Sequence, residues 1–163
     1  MQVVHSGIYY RLGSQKAQLC VAGVRSLVQF CQERDIPYRQ CGKVIVATDH
    51  SELHTLDEIY ERGTANGVQG LEMIGPEKLR ELEPHSAGIK AIYVPGTGVV
   101  DFTAVAEAYA EGVRANGGEV LESAGVRSIT KSEGAMYLDT NRGTMQSKYL
   151  INCAGLHADV VAR

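Results

Sequence analysis

Cys20, Val24, Leu27 and Cys31 recur at three- and four-residue intervals, so one apolar stripe predicts an amphipathic helix over residues 14–34, stopped by Asp35, Ile36 and Pro37. Gly42-Lys43-Val44-Ile45-Val46-Ala47-Thr48 is a β-branched run closed by a polar break, which predicts a strand. Asp49, with Glu52 three residues on, is a capping-box pattern for a helix that Asn66 and Gly67 end. Pro76 opens a second, short helix ending at Glu83 and Pro84, and residues 89–94 predict another strand. After the turn Pro95-Gly96-Thr97-Gly98, Asp101 is placed to cap a helix whose stripe is Phe102, Val105, Tyr109 and Val113. Gly117 and Gly118 stop it, and residues 119–121 restart as a strand. Residues 126–130, 136–139 and those around Met145 predict an antiparallel meander with Asn141, Arg142 and Gly143 at a turn. A last strand over 148–153 leads into the start of a helix.

The elements between residues 41 and 98 are short and punctuated by turns, whereas their flanks carry longer helices, so the middle reads as a lobe inserted into another domain. In the later flank, helix, strand, meander and strand form a strand–crossover–strand arrangement, which favours parallel pairing. Parallel sheets bind ligands at the carboxyl ends of their strands. Ala154 and Gly155 stand at such an end, where small residues let a phosphate or ring edge approach backbone N–H groups. Plain packing of the next helix would ask for the same two residues.

Composition narrows the function. The chain has 163 residues, 44% of them hydrophobic and 21% charged, enough for one or two compact units. A net charge of -3 offers no broad electropositive surface, so nucleic acid is not expected as a partner. There is no long apolar span and no signal-like start, which points to the cytoplasm. Cys20, Cys31, Cys41 and Cys153 lack CxxC pairing and read as free thiols in a reducing compartment. His50 and His54 could share a helix face, but without HExxH or a third ligand no metal is expected.

Four stretches taken together, VVHSGIYY from Val3, QCGKVIVAT from Gln40, GVVDF from Gly98 and NCAGLHAD from Asn152, resemble the FAD-dependent L-2-hydroxyglutarate dehydrogenase/oxidase family. GSQKAQLCVAG from Gly13, ANGVQGLE from Ala65 and LRELEP from Leu79 extend the resemblance in order and spacing. That family belongs to the wider D-amino-acid-oxidase-like flavoproteins. Its opening GxGxxG turn and acidic residue are missing here, so the sequence is expected to be a central piece of such an enzyme that cannot hold FAD tightly by itself.

The resemblance implies an α/β (α+β) fold, namely an incomplete FAD-binding Rossmann-like domain with an inserted antiparallel substrate-domain segment. Residues 1–40 and 99–163 would belong to the FAD-binding domain, the latter with the meander, and 41–98 to the substrate-binding domain. It implies an enzyme that oxidises L-2-hydroxyglutarate to 2-oxoglutarate by hydride transfer to FAD. His5 is the expected catalytic proton acceptor. Lys43 and Tyr10 are expected to bind a substrate carboxylate, ahead of Arg11 and Arg39, which read as solvated charges. Ser6, Gly7, Val126, Cys153, Ala154 and Gly155 are expected at the cofactor, Val126 by its backbone against the adenine edge. The partners implied are a small 2-hydroxy dicarboxylate and an electron acceptor, oxygen or a quinone; a quinone would bring peripheral contact with the inner membrane face. An amino-acid or glycerol-3-phosphate oxidase, and a non-catalytic truncated module, are the competing readings.

Overall fold

The computed structural model describes residues 2–162. Its elements, in chain order, are β1 (Gln2–Val3), α1 (Gln15–Glu33), β2 (Tyr38–Arg39), β3 (Lys43–Ala47), α2 (Leu53–Ala65), β4 (Glu72–Ile74), α3 (Pro76–Leu82), β5 (Lys90–Val94), β6 (Val99–Val100), α4 (Phe102–Ala115), β7 (Val126–Ser132), β8 (Ala135–Thr140), β9 (Gly143–Ser147) and α5 (Ala158–Val161). The chain divides into two compact units, one running to Gly112 and one starting at Val113. Among the described residues no helix is long and apolar enough to cross a membrane.

In the first unit, α1 forms where predicted, and the Ser14 hydroxyl caps it by accepting from the Ala17 N–H at 3.2 Å. With α4 it packs on the small sheet β1-β6-β2, burying Val4, Cys31, Ile36, Val100, Val105 and Ala108. Val99 and Val100 are thus the central strand of a sheet. Asp101 caps α4 as expected, accepting from the Thr103 N–H at 3.0 Å. The face of α4 that is buried is Val105 and Ala108, while Phe102, Tyr109 and Val113 of the predicted stripe stay exposed. Tyr109 finds its partner sideways, stacked on Phe30 of α1 with ring centroids 4.6 Å apart.

The second sheet, β3-β5-β4, is antiparallel and covered on both faces. Side chains alternate along each strand. Ile45, Ala47, Ile92 and Val94 therefore meet α2 on one face, while Val44, Val46, Ala91 and Tyr93 meet α3 on the other. The capping box before α2 is displaced by one residue. Asp49 accepts from the Ser51 N–H at 2.8 Å, and Glu52 reaches back to the Thr48 N–H at 2.7 Å, because a 3-10 turn at His50–Glu52 precedes the α-helix.

Ile8, from the loop between β1 and α1, is inserted into this second core and is 1% exposed. Gly63 of α2 makes room for it. A Cβ at that position would lie 2.5 Å from Ile8 Cγ1 and 2.8 Å from Leu71 Cδ1.

In the second unit β7, β8 and β9 form the predicted meander, with a bulge between Val126 and Ser128. The strands expected over 119–121 and 148–153 do not form, and every pairing among the described residues is antiparallel. The reason is the same for both segments. An isolated extended run gains its ladder only from a neighbour, and none lies beside these two among the described strands, so Tyr149 and Ile151 remain 86% and 84% exposed. The parallel arrangement inferred from them has no counterpart here.

Gly63→Ala tests the Ile8 contact. Alanine would gain about 1 kcal/mol of helix propensity at an ordinary helical site, but the clash is expected to dominate and cost a net of about 1–3 kcal/mol. Ile8→Ala is expected to cost about 2–5 kcal/mol. Denaturant midpoints check both, and a stabilised Gly63→Ala would contradict the packing described.

Candidate functional site

The loop 5–10, which carries His5, Ser6, Gly7 and Tyr10 of the predicted site, is tied down along its whole length. The Val4 N–H donates to the Gly98 carbonyl at 2.9 Å, and the Cys20 thiol donates to the His5 carbonyl at 3.1 Å. Asn66, at the end of α2, donates from one amide nitrogen to the carbonyls of Gly7 (3.2 Å) and Tyr10 (2.7 Å). Arg62 donates to the Tyr9 carbonyl at 3.3 Å. Ile8 anchors the middle by burial, which contributes about 1.5–3 kcal/mol. The imidazole of His5 is left exposed beside buried Ser6 and Gly7.

Gly7 has φ +89, and a Cβ there would meet Val21 Cγ2 at 3.1 Å, so any side chain at this position would strain the backbone and press the loop off α1. Ser6 is 7% exposed, and its hydroxyl has no protein partner. It lines a hollow of about 150 Å³ shared with Val21, Val24, Arg25, Val68 and Gly96. A buried hydroxyl without a partner is costly unless water or a ligand satisfies it. On that ground Ser6 and Gly7 fit a polar group presented at this loop.

Lys43, the first residue of β3, comes to the same loop. Its ammonium lies over the Tyr9 ring, 4.7 Å from the centroid. Cys20 of α1 is close enough to feel its charge. Among the described residues no carboxylate forms an ion pair with Lys43; the pairs present are His54–Glu58, Lys78–Glu81 and Lys90–Asp57. Partial burial lowers the Lys43 pKa, and the neighbouring Cys20 opposes that shift. Burial likewise pushes the Tyr9 phenol and the Cys20 thiol up, the latter against the pull of Lys43.

The fold therefore gathers His5, Ser6, Gly7, Tyr10 and Lys43 around one loop. Two further side chains, Tyr9 and Cys20, join them. The only signal for Tyr9 was its place in VVHSGIYY, and helical periodicity assigned Cys20 to a core stripe. Of the other predicted charges, Arg11 lines an open hollow with Glu58, Glu61 and Arg62. The pair His50 and His54 sits on exposed turns, with His54 Nε2 3.4 Å from Glu58, and no cluster of three or more metal-ligating side chains occurs among the described residues.

The remaining predicted cofactor residues lie in the second unit. Val126 starts β7 at 46% exposure and borders a hollow of about 290 Å³ with Ser128, Val160 and Val161. Cys153, Ala154 and Gly155 are exposed. The Ala154 N–H is taken by the Asn152 side chain at 3.1 Å, an Asx-type turn, and Gly155 has φ +57 with open space where a Cβ would stand.

The first unit thus combines small antiparallel sheets and helices with a pinned glycine loop and a partly buried cation beside it. The chain belongs to the DAO family, whose model, FAD dependent oxidoreductase, matches residues 1–163. It is 43% identical over 161 residues to the L-2-hydroxyglutarate dehydrogenase of Indibacter alkaliphilus, covering 99% of this chain and 40% of that protein. The mitochondrial L-2-hydroxyglutarate dehydrogenase of Homo sapiens is 38% identical, with 98% of this chain and 37% of that protein covered. The chain thus spans about two fifths of the length of these relatives. In fold it is similar to the dithionite-reduced, FAD-bound L-α-glycerophosphate oxidase of Mycoplasma pneumoniae, with TM-score 0.88 and 23% identity over 98% of this chain and 44% of that one. L-Proline dehydrogenase from P. horikoshii gives TM-score 0.78 at 20% identity, over 95% of this chain and 44% of that one.

The lowered Lys43 pKa has a linked effect on stability. Its folded-state value lies below the 10.5 of an ordinary lysine, so the protonated side chain opposes folding. That cost is full below the folded-state pKa and fades as pH rises toward 10.5. Lys43→Met is expected to raise the denaturation midpoint at neutral pH and to lose that advantage in alkaline solution. Paired melts at the two pH values check the sign.

Proposed function

We propose that the chain forms the substrate-facing part of a flavoenzyme that oxidises L-2-hydroxyglutarate to 2-oxoglutarate. The observation that carries this reading is the half-buried Lys43 ammonium, without a carboxylate partner among the described residues, set against the loop that bears His5. A 2-hydroxy dicarboxylate needs both a cation for a carboxylate and a proton acceptor for its hydroxyl. The names of the relatives supply the particular substrate.

In this reading residues 1–40 and 99–163 belong to the FAD-binding part and 41–98 to the substrate-binding part. His5 accepts the hydroxyl proton, at a position accessible to a small molecule. Lys43, assisted by Tyr10, orients a carboxylate. Ser6 and Gly7 would hold the cofactor at the loop, and Val126, Cys153, Ala154 and Gly155 are the cofactor residues of the second unit in this reading. Bound FAD supplies the electron sink for the α-hydrogen. The final acceptor is oxygen or a quinone, and a quinone places the enzyme peripherally on the inner membrane face.

Anaerobic mixing of the holoenzyme that carries this chain with L-2-hydroxyglutarate is expected to bleach the flavin. A flavin that stays oxidised with this substrate but is reduced by an amino acid or glycerol 3-phosphate would overturn the substrate assignment. His5→Ala is expected to lower turnover by about 100-fold, and unchanged turnover would remove His5 from the chemistry.

A further inference from the structure

We infer that the Tyr9 ring is the positioning residue that makes Lys43 a selective receptor for the distal carboxylate of a dicarboxylate substrate. This rests on the reading of the loop as the substrate site and adds how that site tells two carboxylates from one. The geometry is specific. Tyr9 leaves the loop one residue after Ile8, whose burial fixes the backbone, and Arg62 holds the Tyr9 carbonyl. The ring is thereby held in place from below and presents its face to the ammonium at 4.7 Å.

A lysine side chain has four rotatable bonds and ordinarily keeps its head in water. Here the head is partly withdrawn from water over a π-face that attracts it without neutralising it. The neighbours that bear on it are Tyr9 from the loop and the Cys20 thiol from α1, and neither is an anion in its protonated form. An ammonium in that state has a net charge to offer and little orientational freedom to lose, which favours a fixed carboxylate partner. Cys20, which feels the Lys43 charge, also donates to the His5 carbonyl at 3.1 Å, so the same helix residue touches the His5 end of the loop. A hydroxy acid with its reacting end at His5 and a second carboxylate at Lys43 would use both ends of the constellation; a monocarboxylate would use only one.

Calorimetric titration of the holoenzyme with 2-oxoglutarate and with pyruvate separates the possibilities without relying on turnover. Lys43→Met is expected to weaken 2-oxoglutarate by about 30-fold or more and to leave pyruvate little changed. Tyr9→Leu, which removes the π-face, is expected to weaken 2-oxoglutarate by about tenfold, and Tyr9→Phe, which restores the ring without the hydroxyl, to bring most of that affinity back. Equal losses for the two ligands in Lys43→Met, or a Tyr9→Phe as weak as Tyr9→Leu, would overturn the inference. Neither result bears on flavin reduction by L-2-hydroxyglutarate, which tests the activity separately.

Discussion

The burial of Ile8 against Gly63 is the contact on which the site depends. The connection from β1 to α1, residues 4–14, would otherwise be free to wander, because loops are ordered only by what they bury and bond. Ile8 reaches a core made by residues far along the chain, Ala47, Leu56, Ile92 and Val94, and only a glycine on α2 leaves space for it. With that peg in place, Asn66 and Arg62 can bond three loop carbonyls, and the side chains on either side of Ile8 have defined directions. Tyr9 is turned toward Lys43, and Ser6 is turned inward.

That rigidity is what allows an unfavourable electrostatic arrangement to persist. A partly buried ammonium without an ion-pair partner is a liability to folding, here softened by an aromatic face instead of a carboxylate. Elsewhere in the same unit the fold does supply an acid, as where Lys90 meets Asp57 at 2.7 Å. The difference between the two lysines is local: Lys90 serves the packing of α2 on its sheet, and Lys43 stands at the edge of the loop with its charge still available.

Kinship and shape carry different information. Two solved structures similar to this chain, at TM-scores of 0.78 and 0.88, are named for proline and glycerophosphate chemistry at 20% and 23% identity. Such likeness defines a fold that hosts several substrates. The curated relatives at about 40% identity share a single name, so discrimination among substrates must lie in side chains that the fold merely places. In the function proposed above, the cluster at Tyr9, Cys20 and Lys43 is of that kind.

Elements held by local rules were legible in the sequence: α1 from its stripe, α3 from Pro76, the meander from its turn at Asn141, Arg142 and Gly143, and the Asp101 cap. Where the sequence implied partners, it misled. Residues 119–121 and 148–153 have the composition of strands but no neighbour to complete a ladder among the described residues, and Val99-Val100, short enough to pass for a linker, became the centre of a sheet because β1 and β2 flank it. His5, Ser6, Gly7 and Lys43 could be singled out by residue type and motif. That Lys43 meets Tyr9, with Cys20 between the cation and the His5 backbone, could not, since those contacts join a loop, a helix and a strand through cores that no local pattern encodes. The sequence by itself determined which segments coil and which chemistry they carry; tertiary packing alone decided which of those groups face one another, because only long-range burial overcomes the entropy of bringing them together.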